Sequence, residues 1–508
     1  MTTESQEHSS VSVKVEVEVH DNEPPMARKR ILFILLGPVV ALVLAVLPAP
    51  GSLTPEAWKL VALTAWMVIW WMTECTPIAV TALLPIAMMP LMGIEDQKAV
   101  SSNYGNPLVF LFLGGFLIAA AMQRWGLHKR IALSVVKIAG SSSGSIIGGF
   151  MVATAFLSMW ISNTATALMM FTVGISLIDF VSHKVEDKSK VRRFGVALML
   201  GIAYSASIGG VATLIGTPPN TLLASFLSDN YGIQIDFATW MMMGTPLMLI
   251  MLPVVWLLLC KWLFPVGNLD MGNAAALVER ELQEMGQMSR GEKVVLTVFV
   301  CTAMLWMTRK WVVELTGLNF TDTSIALIAA SLLFVIPASI QYNKFTIEWE
   351  SARGIPWEIL LLFGGGLALA AAFKSTGLAA EIGEMVGALD ALDITLIILA
   401  TTASIVFLTE ITSNTATTAT FLPILGAVSV GLGFDAMMLA IPVALAASMA
   451  FMMPVATPPN AIVFAYDGLR IHDMMKAGVW LNVISIGLIY LAMVYLAPMV
   501  FKLSFVPG

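Results

Sequence analysis

The chain has 508 residues, of which 58% are hydrophobic and only 12% are charged, and its mean hydropathy is +0.85. A soluble domain carries about 25% charged and about 45–50% apolar residues, so this composition excludes an ordinary water-soluble enzyme. At roughly 20 apolar residues per crossing, the chain has enough apolar sequence for about a dozen membrane passes. The formal net charge of −6 gives no indication of a nucleic-acid partner.

The N-terminal part combines a polar tail with a first apolar segment. Residues 1–26 are polar and acidic and predict a disordered cytoplasmic tail. Three basic residues at 28–30 then precede an uncharged run over 31–49. A cleavable signal peptide has a shorter apolar core and lies earlier in the chain. Because basic residues favour the cytoplasmic side, this order predicts a first spanning helix with its N-terminus inside.

Uncharged segments continue along the whole chain. They lie at about 60–73, 77–93, 107–123, 194–226, 237–260, 294–308, 323–340, 359–373, 436–466 and 477–501. Two further stretches, 138–178 with no charged residue and 394–434 with only Glu410, are 41 residues long. A single helix of that length would overshoot the bilayer. Each stretch must therefore turn back, as two crossings or as a re-entrant hairpin.

The distribution of basic residues supports this topology. When each 41-residue stretch is counted as a passage that returns to its own side, the main basic segments all fall in the cytoplasm. Of 27 Lys and Arg, those that fall outside are Lys59, Lys98, Arg309, Lys310, Lys374 and Lys502. Since cytoplasmic loops are enriched in Lys and Arg, we predict an all-α polytopic membrane protein. It has about 11 transmembrane helices plus two re-entrant hairpins, and its C-terminus lies outside.

Three motif pairs recur in the same order in the two halves of the chain. They are Gly-Gly-Phe-Leu at 114–117 with Gly-Gly-Gly-Leu at 364–367, Ser-Asn-Thr-Ala-Thr at 162–166 and 413–417, and Thr-Pro-Pro-Asn at 217–220 and 457–460. In the predicted topology the two halves run in opposite directions across the membrane. An inverted repeat is typical of secondary transporters, whose substrate and ion sites lie near the midplane between the repeats.

The Ser-Asn-Thr motifs predict the hairpin tips. Ser and Asn are poor helix formers, so one arm ends there and the next begins. Free carbonyl, Asn and Ser oxygens suit Na⁺, and the N–H groups of the new arm suit a carboxylate. The alternative is a kink tolerated because Ser and Thr bond back to the preceding turn, but two copies on opposite-facing hairpins favour a binding site.

The Thr-Pro-Pro-Asn motifs predict two broken helices. Two consecutive prolines interrupt a helix, and non-helical backbone at that depth must line a polar cavity or be buried in protein. The unwound carbonyls just before Pro218 and Pro458 are therefore candidate cation ligands. The alternative interpretation is a proline kink that serves packing.

Basic residues are absent from both predicted tips and both predicted breaks. An anionic substrate would then be neutralised by helix ends, by Asn and Thr donors and by cations bound beside it. A dianion at the midplane needs at least two monovalent cations. This predicts Na⁺ as a coupling ion and no organic cofactor.

Two other groups of residues attract attention. Glu410 lies four residues before Asn414, which predicts that both share a helical face, and acids inside a membrane segment are functional by default. Its counterpart in the first half is Met159, so a structural hydrogen bond, cation binding and proton binding all remain open. The three cysteines indicate neither a disulfide framework nor a metal cluster.

These features resemble the divalent anion/sodium symporter family, which includes bacterial dicarboxylate transporters and mammalian sodium-coupled di- and tricarboxylate carriers. The resemblance covers about 31–501 and includes 70–74, 110–116, both Ser-Asn-Thr tips and 454–461. It is closest to bacterial sodium/dicarboxylate symporters that handle succinate, malate and fumarate. It implies a transporter of the cytoplasmic (inner) membrane rather than an enzyme.

The resemblance also implies a lipid-embedded homodimer that works by an elevator mechanism. A mobile transport domain would then move against a scaffold that forms the dimer interface. The implied division is a tail at 1–26, scaffold at 27–137 and 294–390, transport domain at 138–264 and 391–508, and a cytoplasmic linker helix at 265–293.

The site residues implied by the resemblance form three sets. The first sodium site would comprise Ser158, Ser162, Asn163 and the carbonyl of Gly216. The second would comprise Thr409, Ser413, Asn414 and the carbonyl of Ala456. The dicarboxylate would meet Asn163, Thr164, Asn414 and Thr415, with Thr217, Thr457 and Pro458 nearby.

Three functions remain open at this stage: a sodium-driven symporter, a sodium-independent dicarboxylate exchanger and an anion channel. A channel needs a continuous pore, and two half-depth hairpins fit an occluded site better. A membrane-embedded enzyme is disfavoured because no His, Cys or acid constellation occurs near the tips.

Overall fold

The computed structural model describes residues 28–140, 142–267, 274–339, 344–386 and 393–505, so the predicted tail at 1–26 lies outside the described residues. The first part of the described chain is helical. Its helices are α1 (Arg28–Val46), α2 (Pro55–Thr73), α3 (Ile78–Ala82), α4 (Leu84–Met92), α5 (Gln97–Ser102), α6 (Pro107–Arg124) and α7 (Leu127–Ile138). The side chains of Thr54 and Asn106 cap α2 and α6, and proline follows each cap.

The second part contains the first hairpin and the first broken helix. Its helices are α8 (Ser143–Ser158), α9 (Asn163–Ser182), α10 (Lys188–Val211), α11 (Pro218–Tyr231) and α12 (Phe237–Leu257), the last continued by a π-helical turn over Leu258–Leu263. Asp187 caps α10 by accepting from the backbone N–H groups of Lys190 and Ser189. These bonds hold the pKa of the Asp187 carboxyl below its usual range.

The third part joins the two halves. It contains α13 (Ala274–Glu284), α14 (Arg290–Thr316), α15 (Asp322–Val335), strands β1 (Pro337–Ser339) and β2 (Lys344–Phe345), α16 (Trp349–Arg353), α17 (Trp357–Ser375) and α18 (Leu378–Val386). The two strands pair antiparallel. Within the predicted linker at 265–293, the helix runs over Ala274–Glu284. A capping box between Ser289 and Glu292 already starts α14.

The last part contains the second hairpin and the second broken helix. Its helices are α19 (Ile394–Leu408), α20 (Asn414–Gly431), α21 (Met437–Ala447), α22 (Pro458–Phe464), α23 (Ile471–Leu491) and α24 (Ala497–Phe501). Each Ser-Asn-Thr and Thr-Pro-Pro-Asn motif therefore coincides with an interruption. The new helices begin at Asn163, Pro218, Asn414 and Pro458.

The long apolar helices are suited to a membrane. Within the described residues, eight helical segments have the length and composition of a membrane span: Arg28–Val46, Gln97–Arg124, Asn163–Ser182, Lys188–Val211, Phe237–Leu263, Arg290–Thr316, Trp357–Ser375 and Ile471–Phe501. Three elements of the hairpins and broken helices are shorter apolar helices. They are the first arm of each hairpin, α8 and α19, and the first half of the second broken helix, α21. The count of eleven spanning segments stays a prediction.

The interrupted helices pack across the two halves of the chain. Within each half, the first hairpin arm packs on the first part of the broken helix, α8 on α10 and α19 on α21. Between halves, α9 packs on α22, and α20 packs on α11. The apolar 18-residue stretch of α10 is entirely buried. The four helices that begin at the motifs therefore belong to one interlocked bundle.

Candidate functional site

The first hairpin tip holds the Asn163 side chain in a fixed position. The Ser158 hydroxyl oxygen lies 2.5 Å from Oδ1 of Asn163 and 2.7 Å from the carbonyl oxygen of Ala206 on α10. Ser158 is fully buried. Ser162 caps α9, and its hydroxyl accepts from the backbone N–H of Ala165 at 3.3 Å. The tip is thereby tied to the broken helix of its own half.

The second hairpin tip repeats these contacts. The Thr409 hydroxyl oxygen lies 2.8 Å from Oδ1 of Asn414 and 3.0 Å from the carbonyl oxygen of Ala447 on α21. Thr409 is fully buried. Ser413 occupies the N-cap position of α20 without a side-chain capping bond. Both halves therefore present one Asn side chain beside a buried hydroxyl at a helix N-terminus.

An asparagine holds the first helix break in shape. Asn220, the last residue of its Thr-Pro-Pro-Asn motif, is fully buried. Its Nδ2 donates to the carbonyl oxygens of Gly210 at 3.2 Å, Val211 at 3.2 Å and Thr213 at 2.7 Å. Carbonyls that lose their helical partners at a break need other donors. The Asn220 amide supplies these bonds, so the break is a fixed element of the fold.

An asparagine also supports the second break. Asn460 is fully buried, and its Nδ2 donates to the carbonyl oxygens of Ala450 at 3.2 Å and Met453 at 3.0 Å. The backbone N–H of Asn460 donates to the hydroxyl of Thr457 at 3.3 Å. One motif thus supports the break in each half, but only in the second half does its threonine hydroxyl also cap the new helix.

The first tip and the first break meet at Gly210. A methyl group on Gly210 would lie 2.7 Å from Oδ1 of Asn163 and 3.0 Å from the carbonyl oxygen of Gly216. The Asn163 and Gly216 oxygens therefore border the same small space, which exists because residue 210 has no side chain. In the described part of the chain, the Gly216 carbonyl accepts no hydrogen bond. Neutral oxygens of this kind fit a sodium ion.

The second tip and the second break are joined by Glu410. Its carboxylate accepts from the backbone N–H groups of Phe451 at 2.7 Å, Met452 at 3.0 Å and Met453 at 3.1 Å. It also accepts from Nδ2 of Asn482 on α23 at 2.8 Å. Of the three roles left open by the sequence, these contacts directly support the structural one.

The predicted helical relationship between Glu410 and Asn414 is wrong. The first arm ends at Leu408, and the second begins at Asn414. Glu410 therefore lies in the interruption, where residues four apart do not share a helical face. The interruption frees its side chain to reach the unwound segment of the neighbouring broken helix.

The Ala456 carbonyl lies just beyond this junction. Ala456 is 5% exposed, and its backbone N–H donates to the Met453 carbonyl at 3.2 Å. Among the described residues, no donor reaches its own carbonyl oxygen. The carbonyls immediately before the prolines, by contrast, are used by the helices: that of Thr217 by Asn220 and that of Thr457 by Ala461.

The predicted substrate residues surround the four new helix starts. Thr164 is exposed on α9, and Pro458 is exposed at the start of α22. Thr415 on α20 is 9% exposed, and Thr217 and Thr457 are buried at the N-caps of α11 and α22. Helices α11 and α22 begin with two prolines, which carry no N–H, so only α9 and α20 offer free N–H groups at their first residues. These two N-termini, with their positive dipole ends, can receive carboxylates in place of basic side chains.

Sequence analysis missed several residues that shape this site. Asn220 and Asn460 close the repeated motif, and that repetition was the available signal for their role. Gly210 and the carbonyls of Ala206 and Ala447 carried no recognisable signal, because their importance depends on which segment packs against them.

Two solved structures resemble the fold of this chain. MtrF of Neisseria gonorrhoeae, described as illuminating a class of antimetabolite efflux pumps, aligns with a TM-score of 0.56 at 13% identity, over 96% of this chain and 98% of its own. The YdaH transporter of Alcanivorax borkumensis aligns with a TM-score of 0.53 at 12% identity, over 93% of this chain and 98% of its own. At this level of identity the likeness shows that the chain shares the fold of these two proteins.

The family follows from sequence comparison. The family model for the sodium:sulfate symporter transmembrane region matches residues 28–503, and the chain belongs to this family. The sodium-dependent dicarboxylate transporter SdcS of Staphylococcus aureus strain bovine RF122 / ET3-1 is 41% identical over 484 residues, which cover 94% of this chain and 93% of that relative. SdcS of strain USA300 is 40% identical over the same length. The resemblance to divalent anion/sodium symporters is confirmed.

Proposed function

We propose that this protein carries C4-dicarboxylates such as succinate, malate and fumarate across the cytoplasmic membrane together with Na⁺. The observation that carries the proposal is the duplicated pairing of an Asn side chain with a buried hydroxyl, Ser158 with Asn163 and Thr409 with Asn414. Each pair lies beside a broken helix in a chain 41% identical to a sodium-dependent dicarboxylate transporter.

The coupling ions occupy the two tips. The first Na⁺ binds among Ser158, Ser162, Asn163 and the Gly216 carbonyl. The second binds among Thr409, Ser413, Asn414 and the Ala456 carbonyl. Support comes from the oxygen-only character of these groups and from the open acceptor positions on the Gly216 and Ala456 carbonyls.

The dicarboxylate lies between the two ions. Its carboxylates meet Asn163, Thr164, Asn414 and Thr415, and Thr217, Thr457 and Pro458 border the substrate. Within the described residues, no Lys, Arg or His side chain bonds to either tip. Two sodium ions and the helix N-termini then balance the charge of the dianion. This balance makes substrate binding dependent on sodium.

Transport follows an elevator mechanism in a homodimer. The chain forms an inverted repeat of about 11 spanning segments and two re-entrant hairpins, with the N-terminus in the cytoplasm and the C-terminus outside. The transport domain at 138–264 and 391–508 moves against the scaffold at 27–137 and 294–390. The packing of α9 on α22 and of α20 on α11 supports movement of these elements as one body.

Flux measurements test the proposal. Purified protein in proteoliposomes should take up labelled succinate when an inward sodium gradient is imposed and should lose this uptake when potassium replaces sodium. Competition by C4, C5 and C6 acids and by sulfate defines the substrate range. Uptake that does not depend on sodium but requires internal dicarboxylate would instead establish an exchanger. Non-saturating conductance would establish a channel.

Labelling tests the mechanism. A cysteine at the exposed Thr164 position should react with a membrane-impermeant reagent from the cytoplasm in one conformational state only. Equal reaction from both sides at the same time would contradict alternating access.

A further inference from the structure

An apolar cavity of about 520 Å³ lies between α7, α8 and α12. Its walls include Val135 on α7, Gly148 and Val152 on α8, and Trp256 on α12. The volume is within the range of about 300–1,000 Å³ that small-molecule sites occupy. The Ser-Asn-Thr and Thr-Pro-Pro-Asn motifs contribute no residue to its lining. The cavity is therefore separate from the proposed transport site.

The polar side chains of the cavity lining are already bonded within the protein. Nε1 of Trp256 donates to the carbonyl oxygen of Gly144 at 2.8 Å. The hydroxyl of Ser145 shares a hydrogen bond with that of Ser142 at 2.5 Å. A water molecule needs about two to four polar partners to occupy a cavity, so this lining favours a hydrocarbon occupant over water.

The cavity opens on an apolar surface. Ile138 and Val152 belong to its lining and are 84% and 52% exposed. Leu249 and Leu257 on the neighbouring α12 are exposed as well, and α12 has the length and composition of a membrane span. In a membrane, exposed apolar side chains of a spanning helix face lipid chains. The cavity is thus accessible to an acyl chain of the bilayer.

A positive charge lies beside the cavity in the π-helical turn that continues α12. Nζ of Lys261 is 5.6 Å from the ring centre of Trp256, which forms a wall of the cavity. Lys261 is exposed, and among the described residues no acidic side chain pairs with it. Lys137, at the end of α7, is by contrast paired with Glu279 at 2.9 Å. Lys and Trp near the ends of spanning helices lie at the level of the lipid headgroups.

We propose that this cavity binds one acyl chain of an anionic phospholipid whose headgroup contacts Lys261. The acyl chain supplies the hydrocarbon that the lining favours, and the headgroup supplies the negative charge that complements Lys261. In the predicted topology, α12 ends at the cytoplasmic side, so the lipid belongs to the cytoplasmic leaflet. This site is independent of the identity of the transported substrate.

Lipid-dependent thermal unfolding of the purified protein in detergent tests the role of the headgroup. A ligand that binds only the folded state raises the melting temperature as its concentration increases. Dioleoylphosphatidylglycerol should half-saturate this effect at about a fivefold lower concentration than dioleoylphosphatidylcholine, which has the same acyl chains. Lys261→Gln should remove this difference, whereas Lys293→Gln, at an exposed position on α14, should keep it.

The Val152→Trp variant tests the cavity itself. Val152 is half exposed at the opening, so a larger ring at this position narrows the cavity without replacing a buried side chain. The half-saturating concentrations of both lipids should rise by about tenfold or more. Leu249→Trp is the matched control, because Leu249 is exposed on α12 but does not line the cavity. It should keep both concentrations within about twofold of wild type.

Equal half-saturating concentrations of the two lipids in wild type would overturn the inference. The wild-type lipid preference in Lys261→Gln, or unchanged half-saturation in Val152→Trp, would overturn it as well. Light scattering identifies the competing occupant: a dimer that dissociates in Val152→Trp would show that a second copy of the chain covers the cavity, in place of lipid. If Val152→Trp fails to fold, the comparison of Lys261→Gln with Lys293→Gln still decides whether the headgroup lies at Lys261.

Discussion

Asn163 and Asn414 are held by equivalent contacts, although they lie in opposite halves of the chain. Oδ1 of Asn163 is 2.5 Å from the hydroxyl of Ser158, and Oδ1 of Asn414 is 2.8 Å from the hydroxyl of Thr409. Each hydroxyl also contacts a carbonyl on the broken helix of its own half. The duplication thus includes individual hydrogen bonds as well as the repeated sequence motifs.

Removal of either asparagine side chain should abolish sodium-driven transport. We expect Asn163→Ala and Asn414→Ala each to lose succinate uptake in proteoliposomes, because each deletes a cation ligand and a substrate contact. Membrane insertion should remain intact. Ser176→Ala, at an exposed position on the same helix as Asn163, should transport normally. Normal uptake by both asparagine variants would reject the site assignment.

The absence of a side chain at residue 210 should be essential for sodium-driven uptake. We expect Gly210→Ala to reduce sodium-driven uptake by about tenfold or more, because its methyl group would lie 2.7 Å from Oδ1 of Asn163. Gly487→Ala is the matched control, since a methyl group there meets no atom within 4 Å. Sodium-driven uptake is measured for each variant as a function of sodium concentration, which gives its half-saturating sodium concentration. Equal values in Gly210→Ala and wild type would show that this space holds no cation.

The two buried asparagines of the breaks should matter for stability. Asn220→Leu and Asn460→Leu each leave buried carbonyls without a donor, which costs about 2–4 kcal/mol of unfolding free energy. Unfolding of the purified variants in detergent measures this loss. Asn103→Ala, which removes contacts from a partly exposed turn, should cost less than about 0.5 kcal/mol. Similar losses of unfolding free energy in all three variants would show that Asn220 and Asn460 do not stabilise the breaks.

The pairing of α7 with α13 should be weak and sensitive to salt. Lys129 and Glu281 form an ion pair at 2.8 Å, with side chains 37% and 29% exposed. Partly exposed pairs contribute about 0.2–1 kcal/mol. Lys129→Glu and Glu281→Lys should each lower the melting temperature at low ionic strength, and the double exchange should restore it. A double variant no more stable than the single ones would exclude coupling between these residues.

Much of the helical framework could be predicted from local sequence. The interruptions expected at the Ser-Asn-Thr motifs are present, and the new helices begin at Asn163 and Asn414. Helices also begin at Pro218 and Pro458, because proline cannot donate the N–H that helix continuation requires. Such features depend on a few neighbouring residues, so the sequence contains the information.

The role of Glu410 could not be predicted in this way. Spacing along the chain placed it on a helical face with Asn414, whereas it lies in the interruption and binds residues 451–453. The same is true of Gly210, which is important only because Asn163 and Gly216 approach it. Contacts between distant segments depend on packing, which no local pattern specifies.

By itself, the sequence determined the membrane environment, the duplicated motifs and the positions at which helices must break, because hydrophobicity and backbone chemistry are properties of short segments. Only the tertiary structure decided which oxygens border a common space, which donors support the unwound carbonyls and where the buried carboxylate acts. Those relationships arise when the hairpin of each half packs on the broken helix of the same half, so that Asn163 meets Gly210 and Glu410 reaches residues 451–453, positions that no local pattern brings together.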